Sequence, residues 1–330
     1  MSRARRTVLV GDHCQLPPLF GEREPLSMEE IERRDAEDDT VPEAVKICSA
    51  NFEKFRDMVE ASIFKEFFEK ADDRIKESLT VQFRMHPQIM GIDNYFYGGR
   101  LTFGKPMEKA EESHDHELQN VPYVGRRDHV CWIDSSRTPG GRRWFEDKKG
   151  TSYENSLEAD LIVKALRDID DERVRRGLPP STAAVVAFYG RQKGLLKERI
   201  SEIEFKNLEV RVDTVDRFQG QQAQYVLVSM TRAPKRTFRA GEKAFVAKFE
   251  RINVAYSRAE SLLLIFGSQE FFKAQLVTVD PSEGRQPVYG YIIDRLDRDG
   301  RLRDSGDLLG RDWKMDRVVR NGWKRRWIAA

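Results

Sequence analysis

Four short segments gather residue types that handle phosphate. In Gln82-Phe83-Arg84-Met85-His86-Pro87 an arginine stands beside an aromatic. A guanidinium presents a planar fork of N–H donors that fits phosphate oxygens, and the ring of Phe83 can stack on a base. Gly11-Asp12-His13-Cys14-Gln15-Leu16-Pro17-Pro18 sets an amide, Gln15, just after the apolar run Val8-Leu9-Val10, where it can sense a phosphate oxygen. Val212-Asp213-Thr214-Val215-Asp216-Arg217-Phe218-Gln219-Gly220-Gln221 supplies a hydroxyl from Thr214, an amide from Gln219 and a Gly220 turn with exposed N–H groups. Arg251 to Ala259 reads as a helix with Arg258 near its end, placed to reach a γ-phosphate. Taken singly, each segment also reads as an ordinary turn or a surface arginine next to a core residue.

The elements that must position these segments follow from apolar patterning. Strands are expected at Thr7–Val10, Val130–Ile133, Ala183–Tyr189, Leu208–Val215, Tyr225–Met230 and Leu262–Phe266. Helices are expected at Ser156–Ile169, Arg191–Ile203 and Phe249–Ala259; the first carries Leu157, Leu161, Ile162, Ala165, Leu166 and Ile169 on one stripe. Strands apolar on both faces and separated by helices imply an α/β fold, a parallel sheet covered on both sides, with ligands at the strand ends. Lys105–Arg127 and Ser135–Gly150 read as loops, and residues 21–78 as a charged, helical excursion without strand signals.

Composition narrows the class. With 39% hydrophobic and 34% charged residues, the 330-residue chain has the makings of a core and is not disordered overall. No stretch approaches the ~20 consecutive apolar residues of a membrane span, and the first apolar run is too short for a secretion signal. Cys14, Cys48 and Cys131 lie far apart without a CxxC pair, which excludes a disulfide framework and suits an intracellular setting, cytoplasm or nucleus. The net charge of +2 hides polarity: Glu22 to Asp39 holds nine acids against three arginines, and Trp313 to Ala330 six bases against one acid. The acidic run reads as a solvated face.

In this order and spacing the segments resemble the superfamily 1B nucleic-acid helicases of the nonsense-mediated-decay and senataxin type, the DNA2/NAM7-like group. GDHCQLPP is similar to their motif III, QFRMHP with the later NYFYGGRL to motif IV, TVDRFQG to motif V and NVAYSRA to motif VI. The segment from Gly150 to Asn155, with Glu158 and Ala159, and Tyr189 with Gln192, also resemble family segments; the likeness spans residues 7–270. It implies a RecA-like, P-loop-NTPase-type parallel sheet sandwiched by helices and an activity that couples ATP binding and hydrolysis to movement along single-stranded RNA or DNA. By the same resemblance Gln15 senses the γ-phosphate, Arg84 and Arg258 contact phosphates across a cleft between two lobes, and Phe83 lies near the adenine. Gln219 and Gly220 then couple nucleotide to strand, while Thr214 and Tyr189 meet the nucleic acid.

The chain departs from that family in two places. Gln222 stands where relatives usually carry Glu, in the position of a ribose contact. Nothing reads GxxxxGK followed by Ser or Thr, and no Asp-Glu pair precedes motif III. The phosphate cradle and Mg²⁺ ligands are therefore expected on a first lobe supplied by another chain or segment. The expected division is a first-lobe remnant at 1–20, the excursion at 21–78, the second RecA-like lobe at 79–280 and a basic tail at 281–330. A non-catalytic nucleic-acid-binding or partner-binding module with the same fold is the alternative.

Two further features invite a reading. His114, Asp115, His116, His129 and Cys131 could be imagined as a metal site, although their spacing matches no recognised zinc pattern. In the tail, Met315, Val319, Trp323 and Trp327 recur every four residues. Arg317, Arg320 and Lys324 lie on another face, and with Arg325 they could grip a phosphate backbone; a tail whose tryptophans pack on the lobe is the other reading.

Overall fold

The computed structural model describes residues 8–16, 63–104, 106–235, 245–278, 284–311 and 313, which divide into two compact units, Met1–Thr80 and Val81–Ala330. In the first unit Asp12 closes a turn, its Oδ1 accepting from the Cys14 N–H at 3.0 Å. Helix α1 (Ile63–Lys70) carries Phe64 and Phe68 one turn apart, and Phe68 stacks on His13 at 4.8 Å. A single-turn 3₁₀ helix follows at Asp73–Ile75, capped by Asp72. The strand expected at Thr7–Val10 is not formed over residues 8–10, where Val8 and Val10 are 86% and 88% exposed. A strand persists only where a neighbour takes up its backbone groups, and these residues have none among those described. Most of 21–78 lies outside the described residues.

The second unit begins with β1 (Val81–Gln82), helix α2 (Pro87–Asp93), β2 (Thr102–Phe103) and helix α3 (Met107–Ser113), with β1 and β2 paired in parallel. Then come β3 (Val130–Asp134), the antiparallel hairpin β4 (Asp147–Lys149) and β5 (Ser152–Glu154), α4 (Ser156–Arg175), β6 (Ser181–Ala187), α5 (Gly190–Ser201) and β7 (Leu208–Thr214). After these run β8 (Ala223–Ser229), α6 (Phe249–Tyr256), β9 (Ala259–Gly267), α7 (Gln269–Phe272), β10 (Val277–Thr278), β11 (Arg285–Gln286), α8 (Val288–Arg298), β12 (Leu302–Asp304) and α9 (Ser305–Leu309).

Six strands form one sheet in the order β12-β3-β9-β8-β6-β7, every pair parallel. Residues alternate across it. Cys131, Ile133, Val185, Leu227, Leu264 and Phe266 face the stripe of α4, with Leu196 and Ile200 of α5 in the same cluster. Trp132, on the other face, meets Phe272 edge-on at 5.9 Å, and Phe272 meets Tyr289 of α8 at 4.8 Å. Both faces are dry, so the strands read as continuous apolar runs. α4 starts at Asn155, whose side-chain oxygen caps the Glu158 N–H at 3.2 Å.

Three expectations need correction. The stretch read as a loop at Lys105–Arg127 contains α3, whose charged sequence hides a helix that buries only Ala110. The stretch at Ser135–Gly150 contains β4, an exposed hairpin strand of Asp and Lys. The lobe does not stop at residue 280: β12 adds an edge strand beside β3, and α8 buries Val288, Tyr289, Ile292, Ile293 and Leu296. Among the described residues no helix is long and apolar enough to cross a membrane.

The link from β7 to β8 makes the return between parallel strands without an α-helix. Thr214 and Ser229 are both level with Ala187, so they mark the carboxyl edge, whereas Ala223 lies near the amino edge. Residues 215–222 must therefore travel the length of the sheet, and they do so through a 3₁₀ helix at Val215–Phe218.

Candidate functional site

The amino edge of β8 and β9 carries the first group. The Gln82 side chain shapes the turn after β1: its Oε1 accepts from the N–H groups of Arg84 at 2.9 Å and Met85 at 2.8 Å, and its Nε2 donates to the Met85 carbonyl at 3.0 Å. Three hydrogen bonds from one amide leave the next side chain outward, and Phe83 is 62% exposed. Its ring lies over Gly104, where a Cβ would come within 1.9 Å of it. His114 of the turn after α3 holds the Phe83 carbonyl through Nε2 at 3.0 Å.

Arg84 reaches two groups of the main sheet. Its Nε donates to Gln222 Oε1 at 3.1 Å and its Nη1 to the Ser257 carbonyl at 3.2 Å. Arg258 meets the same serine from the other side, with Nη2 donating to Ser257 Oγ at 2.8 Å. Its Nε donates to the Val254 carbonyl at 3.0 Å and its Nη1 to the Gln221 carbonyl at 3.2 Å, and the residue is 1% exposed. The two arginines are thus gathered, but only Arg84, with Phe83 and Gln222, lines the adjoining cleft of about 420 Å³. Glu112, Asp115, Glu117 and Glu260 on its walls give it an acidic side. Gln219 is exposed and Gly220 has φ +81°, the left-handed region that glycine enters without a Cβ clash. That turn brings Gln221 and Gln222 to the two arginines.

Behind the cleft three imidazoles pack together. His86 caps α2, its Nδ1 accepting from the Gln88 N–H at 3.2 Å, and stacks on His129 at 3.3 Å; His129 meets His116 at 4.6 Å. Burial, reinforced by the neighbouring rings, pushes His86 down to about 3 and His116 down to about 4, so both are neutral near pH 7. The metal site imagined at His114, Asp115, His116, His129 and Cys131 is not assembled. Nδ1 of His116 accepts from the Leu118 N–H at 2.9 Å, which puts its proton on Nε2, and Asp115 is paired with Arg126. Burial pushes the Cys131 thiol up to about 12, which leaves no thiolate to ligate. Among the described residues, Asp12, His13 and Cys14 do bring potential ligand atoms together, but both Asp12 carboxylate oxygens already accept, from the Cys14 N–H and from Gln15 Nε2. Gln15 belongs to the first unit, held by Asp12 at 2.7 Å.

The carboxyl edge carries a second group. Thr214 ends β7 with its N–H on Asp213 Oδ1 at 2.9 Å. Tyr189, just past β6, is not open to a base: Tyr153 meets it edge-on at 5.3 Å, Phe245 covers it at 5.5 Å, and its hydroxyl accepts from Arg232 at 3.4 Å. The more open ring is Tyr153, half-buried on β5, with the Arg232 guanidinium 4.2 Å from its centre. Beneath them Asn155, Glu158 and Gln192 form a wholly buried polar network whose role the spacing of the sequence did not reveal. The polar pair Asn155 and Glu158 opening an apolar helix reads as a cap, and the likeness of these segments to the helicase family gave them no role. Lys324 and Arg325, with residues 314–330 of the basic tail, lie outside the described residues.

Comparison with known proteins places this geometry in context. The family profile described as an AAA domain matches residues 59–270. The chain is 27% identical over 278 residues to the DNA replication ATP-dependent helicase/nuclease dna2 of Schizosaccharomyces pombe, covering 80% of this chain and 17% of that protein. It is 30% identical over 190 residues to the probable helicase senataxin of Homo sapiens, covering 57% of this chain and 6% of that protein. With the DNA-binding protein SMUBP-2 of Mus musculus it shares 27% over 262 residues, 78% of this chain and 22% of that one. The chain thus spans under a quarter of the length of these relatives.

Proposed function

Because the chain belongs to the AAA-domain family and to the DNA2/NAM7-like group of superfamily 1 helicases, we infer that Val81–Ala330 serves as the second motor lobe of an ATP-dependent helicase. The convergence of Arg84 and Arg258 on Ser257 beside an open cleft carries this reading. The cleft offers an aromatic face, a guanidinium and an amide, a donor set that fits the base, phosphates and sugar of a nucleotide. Phe83 would take the base, Arg84 a phosphate, and Gln222 would meet the ribose as an amide in place of a carboxylate. Arg258 would leave its carbonyl partners and turn toward the γ-phosphate when a first lobe closes. ATP bound with Mg²⁺ supplies the phosphoryl-transfer chemistry. The metal's ligands and the phosphate cradle would belong to that first lobe, since this sequence holds no GxxxxGK followed by Ser or Thr.

At the opposite edge, Thr214, Tyr153 and the backbone near Tyr189 would meet a single strand of RNA or DNA. Residues 215–222 connect the two edges directly. A second reading, a nucleic-acid-binding or partner-binding module without turnover, is favoured by one observation: the Arg258 guanidinium is fully engaged inside its own lobe.

The deciding experiment joins a first lobe of a related helicase, fused upstream or as a separate chain, to this chain. Strand-stimulated ATP hydrolysis that disappears with Arg258→Ala supports the motor lobe. A folded, strand-binding complex without turnover supports the module.

A further inference from the structure

Glu158 is fully buried in the first turn of α4, yet it neither faces the cleft nor reaches the surface. Four donors converge on it. Ser229 Oγ at 2.6 Å and the Thr231 N–H at 2.7 Å meet one carboxyl oxygen; Ser135 Oγ and Asn155 Nδ2, both at 3.2 Å, meet the other. These partners end β3 and β8 and begin α4, so one side chain ties three elements at the carboxyl edge. Gln192 of α5 joins by donating to Ser229 Oγ at 3.0 Å.

The strained residue in this group is Thr231. Its φ is +68°, a left-handed conformation that a β-branched side chain resists. A tight turn surrounds it, with the Arg232 N–H on the Met230 carbonyl at 2.7 Å. Asn155 and Glu158 grip both sides of the strained residue: Glu158 takes the Thr231 N–H, and Asn155 Nδ2 donates to the Thr231 carbonyl at 3.2 Å. The turn sends Arg232 under Tyr153, with its Nε on Glu146 Oε1 at 2.9 Å and its Nη1 on the Tyr189 hydroxyl.

We propose that Glu158 is a positioning residue for the strand-facing edge: it holds Thr231 left-handed and thereby sets Arg232 against Tyr153 and Tyr189. The proposal rests on the reading of that edge as the single-strand contact. The nucleotide cleft lies at the other end of β8, so loss of this grip weakens strand binding and leaves the cleft intact.

The test uses the full chain, a labelled oligothymidylate at low salt and hydrogen exchange of the Thr231 and Arg232 amides. Glu158→Ala, and Glu158→Met as a variant that fills the same volume without an acceptor, should weaken strand binding about tenfold and speed exchange at both amides. Glu158→Gln keeps the acceptor and should bind like the parent. Adding Thr231→Gly to Glu158→Met should restore affinity, because glycine takes a positive φ unaided. Parent-like binding and exchange in the folded Glu158→Met chain would overturn the proposal, as would a double variant as weak as the single one. If the parent chain itself binds no oligothymidylate, the strand reading of the edge falls. Amide exchange then decides by itself whether Glu158 holds the turn.

Discussion

Arg84 and Gln222, 138 positions apart in sequence, are joined by one hydrogen bond from Nε to Oε1 at 3.1 Å. The bond ties the loop after β1 to the entry of β8 and fixes the guanidinium that lines the cleft. Replacing the amide by a carboxylate would turn it into an ion pair at a partly exposed position. Gln222→Glu should stabilise the fold by about 0.5 kcal/mol and no more than ~1 kcal/mol, with the gain vanishing in an Arg84→Ala background. Urea unfolding of the four chains in this cycle measures it; a gain that persists without Arg84 would show that the two residues are not coupled.

The chain alone should hydrolyse no ATP above background, with or without single strands, because its sequence contains no GxxxxGK followed by Ser or Thr. Once a first lobe is supplied, Arg258→Ala should cost on the order of 10³-fold in turnover, the scale of an arginine finger. A loss smaller than about tenfold would put Arg258 outside the transition state. Phosphate release by the unassisted chain that Arg258→Ala abolishes would reveal a different nucleotide site.

Gly104 should be as sensitive as Phe83. A methyl group at Gly104 would sit 1.9 Å from the Phe83 ring, so Gly104→Ala must displace the ring from its exposed position. In the reconstituted enzyme the KM for ATP should rise several-fold with little change in kcat, since uniform binding is lost and the transition state is untouched. Steady-state kinetics of Gly104→Ala and Phe83→Ala should then agree; an unchanged KM in both would remove the ring from the nucleotide's path.

Stability should depend on pH through the buried imidazoles and Glu158, with opposite signs. Folded His86 and His116 titrate at about 3 and about 4, against an ordinary value of 6.5. As pH falls below 6.5 the unfolded chain binds more protons, and stability drops by up to ~1.4 kcal/mol per unit per histidine. Burial pushes Glu158 up to about 8 from 4.5, so the folded chain holds the extra proton and stability falls as pH rises from 4.5 through 8. Between 4.5 and 6.5 these two histidines, joined by His129, which burial also holds below its ordinary value, oppose Glu158, and above 6.5 Glu158 is the one of these groups that acts. From these groups the optimum lies near pH 6.5. Glu158→Gln should flatten the decline between 6.5 and 8, and His116→Gln should soften the acid limb, both read from urea midpoints across pH. A decline above pH 6.5 that survives Glu158→Gln would assign it to another group.

Binding of the folded chain to single strands should weaken with salt, by about −0.7 in log–log slope for each phosphate neutralised. Thr214→Ala should lower affinity at every salt concentration with little change in slope, because a hydroxyl carries no charge. Removing residues 313–330 should make the slope shallower if Lys324 and Arg325 contact the backbone. Fluorescence anisotropy over a salt series separates the two effects, and no binding at low salt would argue for a partner-binding module.

What the sequence revealed and what it hid have different physical origins. The core strands were legible because a parallel sheet buried on both faces needs uninterrupted apolar runs, such as Tyr225 to Met230. The helix from Ser156 was legible through its stripe, although it continues to Arg175 where charges obscure the period. Strand β12 was hidden because an edge strand of Leu302, Arg303 and Asp304 has no apolar pattern to display. Arg84, Gln222 and Arg258 could be named from motif spacing. That Arg84 and Arg258 meet on Ser257 could not, because contact between residues 173 positions apart is a property of topology. Tyr189 illustrates the reverse: the family resemblance set it against the nucleic acid, while Tyr153 and Phe245 close over it.

The passage from Thr214 to Ala223 has a mechanical meaning. The six residue steps of β7 span ~20 Å, and the link must recover that distance with eight residues. The three steps within its 3₁₀ turn advance only ~2 Å each, the turn that the Gln221 N–H closes on the Phe218 carbonyl spans at most ~7 Å, and the three remaining steps add at most ~11 Å, so the total of ~24 Å leaves little slack. A taut cord cannot absorb a pull. Any shift of Gln221 and Gln222 as the arginines rearrange must therefore either drag Thr214 or unwind the turn at Val215–Phe218, whose Asp216 is anchored to Arg251 at 3.1 Å.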